Sequence, residues 1–95
     1  MTQETLTSQQ IVDRAHQARR LLDDPTLQKA VQGVRFAILD KLEATAVTDI
    51  DLHHELALSL QSLRAVMRQL QNWVDSGTLE GKRAEVRSGI FNRKA

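Results

Sequence analysis

One long amphipathic pattern between residues 49 and 76 constrains the fold of this 95-residue chain more than any other feature. The segment contains neither proline nor glycine, and its apolar residues recur at steps of three or four, the spacing that lines one face of an α-helix. These residues are Leu52, Leu56, Leu60, Leu63, Met67, Leu70 and Val74. Val66 and Trp73 widen this face on one flank, which indicates that the helix covers more than one partner element. A helix over residues 49–76 would be about 42 Å long.

A shorter helix is predicted near the start of the chain, over residues 8–22. Thr7 followed by Gln10 matches a capping box, in which each side chain bonds the other residue's backbone N–H. The helix carries only four or five apolar residues. We therefore expect it to pack on a neighbouring molecule instead of its own chain.

The second helix is predicted over residues 25–43. Asp24 suits its N-cap, and Pro25 suits its first position, where the missing N–H costs nothing. Gly33 lies inside this helix and costs about 1 kcal/mol relative to alanine, so we take close approach of a neighbouring helix as one reason for it. Phe36 lies outside the apolar stripe of this helix and is expected to be exposed. The stripe consists of Leu27, Val31, Val34, Ile38 and Leu42.

The ends of the third helix also have sequence signals. Thr48 followed by Asp51 predicts a second capping box at its start. Gly77 lies just past the last periodic residue and predicts a left-handed C-cap that ends the helix at Ser76. Residues 78–95 fit either a small β-hairpin or an extended arm.

The charge of the chain is unevenly distributed. The formal net charge is +1, but residues 82–95 hold five basic residues and one acidic residue, while the other 81 residues carry a net charge of −3. The basic residues are Lys82, Arg83, Arg87, Arg93 and Lys94. A basic tail on an acidic body is typical of contact with nucleic acid or an acidic protein surface, although a solvated tail has the same composition. We divide the chain into a helical domain, residues 1–81, and a basic tail, residues 82–95.

These elements predict an all-α fold of three helices with an irregular basic C-terminal segment. The short link between the second and third helices makes them a long antiparallel hairpin. The third helix exceeds the second by about nine residues, or about 13 Å, so part of its apolar face lacks cover from its own chain. We predict that a partner covers that face, in a homo-oligomer or a larger assembly. The predicted interface residues are Leu63, Met67, Leu70, Trp73 and Val74.

The sequence offers little for catalysis. It contains no cysteine, and the four glycines are scattered, so neither a thiolate metal site nor a phosphate-binding glycine loop is expected. His53 and His54 point about 100° apart on a helix, which makes a shared metal difficult. No serine has a glycine-rich elbow. We expect no enzyme activity, cofactor, metal or small-molecule substrate.

The sequence also gives no sign of a membrane or export segment. No apolar run approaches the about 20 residues that a membrane span needs. The polar N-terminus lacks the basic and apolar regions of a cleaved signal, so we expect an intracellular protein.

A helix-turn-helix is an alternative interpretation of the same central segment. Ala57 would occupy the turn, residues 59–74 would form a recognition helix, and Gly77 with the basic tail would form a wing. Arg64 and Arg68, one turn apart on the polar face, would then contact phosphate, although we favour a solvated helix face as their explanation. This alternative predicts a DNA-binding regulator, and it requires a break in the helix between residues 56 and 60.

Residues 16–80 resemble a group of small, mostly uncharacterised proteins encoded in the structural-gene regions of tailed bacteriophages. The resemblance starts with an Ala-x-x-Leu-Leu-(Asp/Asn)-(Asp/Asn)-Pro-like phrase, here Ala18-Arg19-Arg20-Leu21-Leu22-Asp23-Asp24-Pro25. It continues through a helix and a short link to a long helix that runs from Glu55-Leu56 to Gly77-Thr78-Leu79. The basic ending is not part of this pattern. The resemblance implies a virion or virion-assembly component, located in the host cytoplasm and in the particle, and it implies no catalytic residues.

Overall fold

Three α-helices form the part of the chain that the structure describes. In this computed structural model, the described residues are 5–92, and side chains are described for residues 5–87. The helices are α1, Ser8–Asp23, α2, Pro25–Ala44, and α3, Ile50–Asn92. No strand occurs among these residues, so the predicted all-α fold of three helices is confirmed.

Local capping explains where α1 and α2 begin. The Thr7 hydroxyl accepts from Gln10 N at 3.2 Å, and Gln10 Oε1 accepts from Thr7 N at 2.9 Å, so the predicted capping box is present. The Asp24 carboxylate accepts from the backbone N–H groups of Thr26 and Leu27 at 2.7 and 3.3 Å, and Pro25 is the first residue of α2, as predicted.

The third helix begins and ends differently from the prediction. Its first turn is capped by Asp49, whose carboxylate accepts from Leu52 N at 3.2 Å, so the predicted capping role of Thr48 was wrong. The helix passes through Gly77 without a left-handed residue and continues to Asn92. The predicted C-cap and the irregular segment after it were therefore wrong up to residue 92. The domain boundary that we placed at residue 82 falls inside this helix.

The first two helices lie end to end along α3, and both run antiparallel to it. Ser8 contacts Glu80, Ala15 contacts Gly77, and Ala18 packs with Leu70 and Val74. Past the break at Asp24, Leu27 joins the same cluster, and Val31 lines a groove with Met67. The α3 residues that make these contacts therefore have steadily lower numbers as the chain passes from α1 to α2. The predicted antiparallel hairpin is confirmed, and α1 extends it.

This arrangement corrects the predicted role of α1. Helix α1 packs on its own chain and makes most of the contacts to α3. Its buried residues are Ala15 and Ala18, whereas α2 has no buried residue. Because α3 has 43 residues and α2 has 20, the overhang of α3 is also larger than the predicted nine residues, and α1 covers much of it.

The resulting molecule is a rod. Its principal extents are 72 × 31 × 22 Å, and its radius of gyration is 19.9 Å, against about 12 Å for a compact 95-residue domain. A 43-residue helix is about 64 Å long, and α1 and α2 together supply about 54 Å to lie against it. Two helical layers of this kind leave most side chains with at least one exposed side.

Candidate functional site

A small apolar cluster joins the three helices where α1 ends and α2 begins. Ala18, Leu70 and Val74 are buried at its centre, and the half-buried side chains packed on it are Leu22, Leu27, Met67 and Trp73. Our prediction that Leu70 and Val74 lack cover from their own chain was therefore wrong, because α1 covers them. Leu63 is also half-buried in α3.

Two small residues let α1 approach α3 closely. A Cβ atom built at Gly77 would overlap the Cβ of Ala15 and lie 3.7 Å from the carbonyl oxygen of Ile11. Gly33, where we predicted a close approach, has no neighbouring atom of the described chain within 4 Å of such a Cβ atom, so that prediction was wrong. Gly77, which the sequence pattern assigned to a helix end, is therefore the glycine that permits close helix packing.

A buried carboxylate fixes the far end of the α1–α3 contact. Glu80 is 9% exposed, and its Oε1 accepts from Ser8 Oγ at 2.5 Å and from Arg87 Nη2 at 3.3 Å. Arg83 Nη1 lies 4.0 Å from Oε2. The Ser8 hydrogen bond is the main reason that the pKa of Glu80 lies below its ordinary value, and the two arginines lower it further against a raising effect of burial. Glu80 is therefore a negative charge that ties the start of α1 to α3.

Trp73 lies at the edge of the cluster and is covered on one face by a cation. The guanidinium carbon of Arg14 lies 4.7 Å from the centre of the Trp73 ring, within the range of a cation–π interaction. Arg14 and Trp73 thus mark the same side of the α1–α3 layer.

The two sides of the rod differ in polarity. On one side, Arg35 of α2 and Met67 of α3 line a groove with Gln28, Val31 and Gln32. The residues just before them, Val34 and Val66, are rotated by about 100° on their helices. Because the helices are antiparallel, this rotation carries both residues to the opposite side of the rod. Val34 is 51% exposed and Val66 is 60% exposed.

Two more apolar residues lie on that same side. Trp73 follows Val66 by seven residues, and Leu21 follows Arg14 by seven residues, so each lies two turns further along nearly the same line of its helix. Leu21 is 47% exposed. We call this surface the apolar flank and define it by four residues: Leu21, Val34, Val66 and Trp73. It includes side chains of all three helices.

The predicted nucleic-acid contacts lie elsewhere and do not form one cluster. Arg64 and Arg68 are exposed on α3 beside Gln61 and Ala65. Lys82, Arg83 and Arg87 surround the exposed Val86 near the end of α3, and two of them pair with Glu80. Arg93 and Lys94 lie outside the described residues. Helix α3 is also continuous from Ala57 to Leu60 and through residues 77–80, so the described chain has neither the turn nor the wing that the helix-turn-helix interpretation requires.

The three histidines of the chain are the remaining candidate groups. Nε2 of His53 lies 3.1 Å from the carbonyl oxygen of Ala46, which places this histidine at the start of α3, whereas His16 and His54 are exposed. Among the described residues, no three His, Asp or Glu side chains are grouped to hold a metal ion. None of the helices in residues 5–92 combines the length and apolarity needed to span a bilayer.

Comparison with known proteins adds no further assignment. No family model, curated protein or solved structure matches this chain. The geometry of the chain itself therefore carries the functional argument.

Sequence reasoning found half of the apolar flank. Val66 and Trp73 were recognisable because they are seven residues apart and lie beside the main stripe of α3. Val34 belongs to the apolar stripe predicted for α2, and Leu21 was not recognised as part of a surface. Only the antiparallel arrangement of the helices shows that these residues share one side with Val66.

Proposed function

We propose that this chain is a non-enzymatic assembly protein that works by helix packing against a protein partner. The observation that carries this proposal is the exposed apolar surface along one side of a thin rod. The accessible surface is 7949 Å², whereas a folded monomer of 10.7 kDa exposes about 5,500 Å². Burial of apolar surface is the main favourable term in protein association, so this excess supports a role in assembly.

The grooves of the rod support the same conclusion by their chemistry. The groove lined by Gln28, Gln32 and Arg35 is open to solvent, and none of its lining residues is a carboxylate or a nucleophile. A substrate site normally encloses its ligand and aims a few polar groups at it. Docking of another helix needs only a shaped apolar surface, which this chain has.

The biological setting that we propose is the assembly of a tailed bacteriophage. It rests on the resemblance of residues 16–80 to small proteins of phage structural-gene regions, and it would place the protein in the host cytoplasm and in the particle. The basic end of α3 is proposed as a second contact surface, for an acidic protein surface or nucleic acid.

Two measurements test this proposal. Light scattering on the purified chain, after size-exclusion chromatography, is expected to give a mass of two or more chains. Antibodies against the chain are expected to detect it in purified virions or assembly intermediates of the phage that encodes it. A single-chain mass, together with absence from both virions and intermediates, would contradict the proposal.

A further inference from the structure

The apolar flank is an open apolar surface to which all three helices contribute side chains. We propose that a second copy of this chain covers it, with α3 of one copy antiparallel to α3 of the other about a two-fold axis. This inference rests on the proposed function, because it specifies the surface, the occupant and the direction of the packing. Area, charge and register each favour this occupant.

The rod as a whole exposes enough surface for a stable pair. The rod exposes about 2,400 Å² more than a compact protein of its mass, and a standard interface needs about 800 Å² from each partner. The apolar flank extends over all three helices. Leu21, Val34 and Val66 are about half exposed, and Trp73 is half-buried. Covering this flank with the same flank of another copy removes the exposed apolar side chains of the flank from water in both copies.

The charges on the flank favour the antiparallel direction. Glu55 lies three turns before Val66, on nearly the same line of α3, and Arg87 lies about four turns after Trp73. Both side chains are exposed. Parallel copies would place each Glu55 beside the other Glu55. Antiparallel copies place it near Arg83 and Arg87 of the other chain, two cations that share one carboxylate, Glu80, and so keep a net positive charge. Opposite charges then meet at both ends of the interface, which favours this orientation over its alternative.

The apolar residues set the register. A two-fold axis halfway between Val66 and Trp73, next to Gln69, packs Val66 of each copy against Trp73 of the other. Two such hairpins form a four-helix arrangement in which every two neighbouring helices are antiparallel to each other, as in common four-helix bundles. In this register the two copies of Gln69 lie close together, and the two copies of Ser62 lie about 22 Å apart.

Single cysteines test the arrangement, because the chain has none of its own. The full-length variants Gln69→Cys and Ser62→Cys place a thiol on the flank side, seven residues apart, at exposed positions. Gln71→Cys is the matched control. Gln71 is exposed and lies close to Gln69 along the axis of α3, but on another side of the helix. Each protein is oxidised with diamide and analysed on non-reducing gels. We expect a cross-linked dimer from Gln69→Cys, at least ten times the yield from Ser62→Cys or Gln71→Cys.

Other outcomes overturn the inference in different ways. Equal cross-linking of Gln69→Cys and Ser62→Cys would show parallel copies, and equal cross-linking of Gln71→Cys would show random collision. No cross-link from Gln69→Cys, in a protein that light scattering shows to be an oligomer, would reject this flank but leave the proposed function intact. A single-chain mass would contradict the second copy as the occupant. This would hold even if a different protein were found to bind the flank.

Discussion

Gly77 is the residue at which α1 and α3 come closest, and the contact leaves no room for a side chain. The backbone around it is ordinary helix, so its value lies in its size and not in a special conformation. A glycine after the last apolar residue of a stripe has the same sequence signature whether it ends a helix or admits a neighbouring helix. The sequence therefore predicted the wrong role, because the deciding atom, the Cβ of Ala15, belongs to a distant segment.

Replacement of Gly77 by alanine is expected to destabilise the fold. The added methyl group would overlap Ala15 and force the helices apart, at a cost of about 1–3 kcal/mol, which exceeds the gain of about 1 kcal/mol in helix propensity. Gly81→Ala is the matched control, one turn further along α3, where the new methyl group meets no other described atom within 4 Å. Urea unfolding should show a loss for Gly77→Ala and a gain of about 0.5–1 kcal/mol for Gly81→Ala. Equal gains in both variants would show that α1 does not pack at Gly77.

Glu80 is expected to make the stability of the fold depend on acidity. Because its pKa is lower in the folded chain than in the unfolded chain, its ionised form stabilises the fold fully above the ordinary glutamate range. This contribution is lost as the pH falls through the lowered folded-state pKa. The free energy of unfolding, measured from pH 7 to pH 3, should fall less steeply in Glu80→Gln than in the unchanged protein.

A second variant separates this effect from the general acid response. Glu43→Gln removes an exposed carboxylate of α2 and should leave the pH profile close to that of the unchanged protein. If Glu80→Gln and Glu43→Gln gave the same profile, the contact between Ser8 and Glu80 would not be formed in solution.

At the scale of elements, local signals placed the starts of α1 and α2 correctly. The caps at Thr7 and Asp24 depend on residues within four positions, so the sequence contains all the information they need. The continuation of α3 past Gly77 depends in part on a distant contact instead. Glu80 binds Ser8 of α1 and pairs with Arg83 and Arg87 of its own helix, and these interactions support helix beyond two glycines.

The break between α1 and α2 can be tested with two neighbouring carboxylates. Asp24→Ala removes the side chain that caps α2 and should lower the free energy of unfolding by about 1 kcal/mol. Asp23→Ala changes the last residue of α1, where a negative charge opposes the helix dipole, and should be neutral or slightly stabilising. Chemical denaturation of both variants provides the measurement. A larger loss in Asp23→Ala than in Asp24→Ala would contradict this cap.

The continuity of α3 predicts a graded pattern of amide exchange. Amides of residues 57–60 should be protected, because they lie inside a helix packed on α2, and those of residues 70–78 should be protected most, because α1 buries that segment. Residues 82–87 have exposed side chains and should exchange fastest, since a helix end with little packing is marginally stable. Rapid exchange confined to residues 57–60 would favour the helix-turn-helix interpretation.

At the scale of the whole molecule, the sequence predicted the fold class and the hairpin, but not the position of α1. Helix α1 packs through two alanines, Ala15 and Ala18, which add little to an apolar pattern, so its face was judged too weak to bind its own chain. Ala15 is effective because Gly77 lies opposite it, and Ala18 because it packs on Leu70 and Val74. No sequence pattern links these positions. The apolar flank follows from the same arrangement, which explains why only Val66 and Trp73 were recognised in advance.

Sedimentation equilibrium on one pair of variants tests the apolar flank most directly. Val66→Glu places a charge on the flank, where each copy would bury it at a cost of at least about 2 kcal/mol, so the two copies together should raise the Kd about a thousandfold. Leu79→Glu is the control, because Leu79 is a similarly exposed apolar residue of α3, 52% exposed, on the side away from the flank. We predict that the unchanged protein and Leu79→Glu sediment as dimers and Val66→Glu as a monomer. Equal masses for all three proteins would contradict the proposed role of the flank.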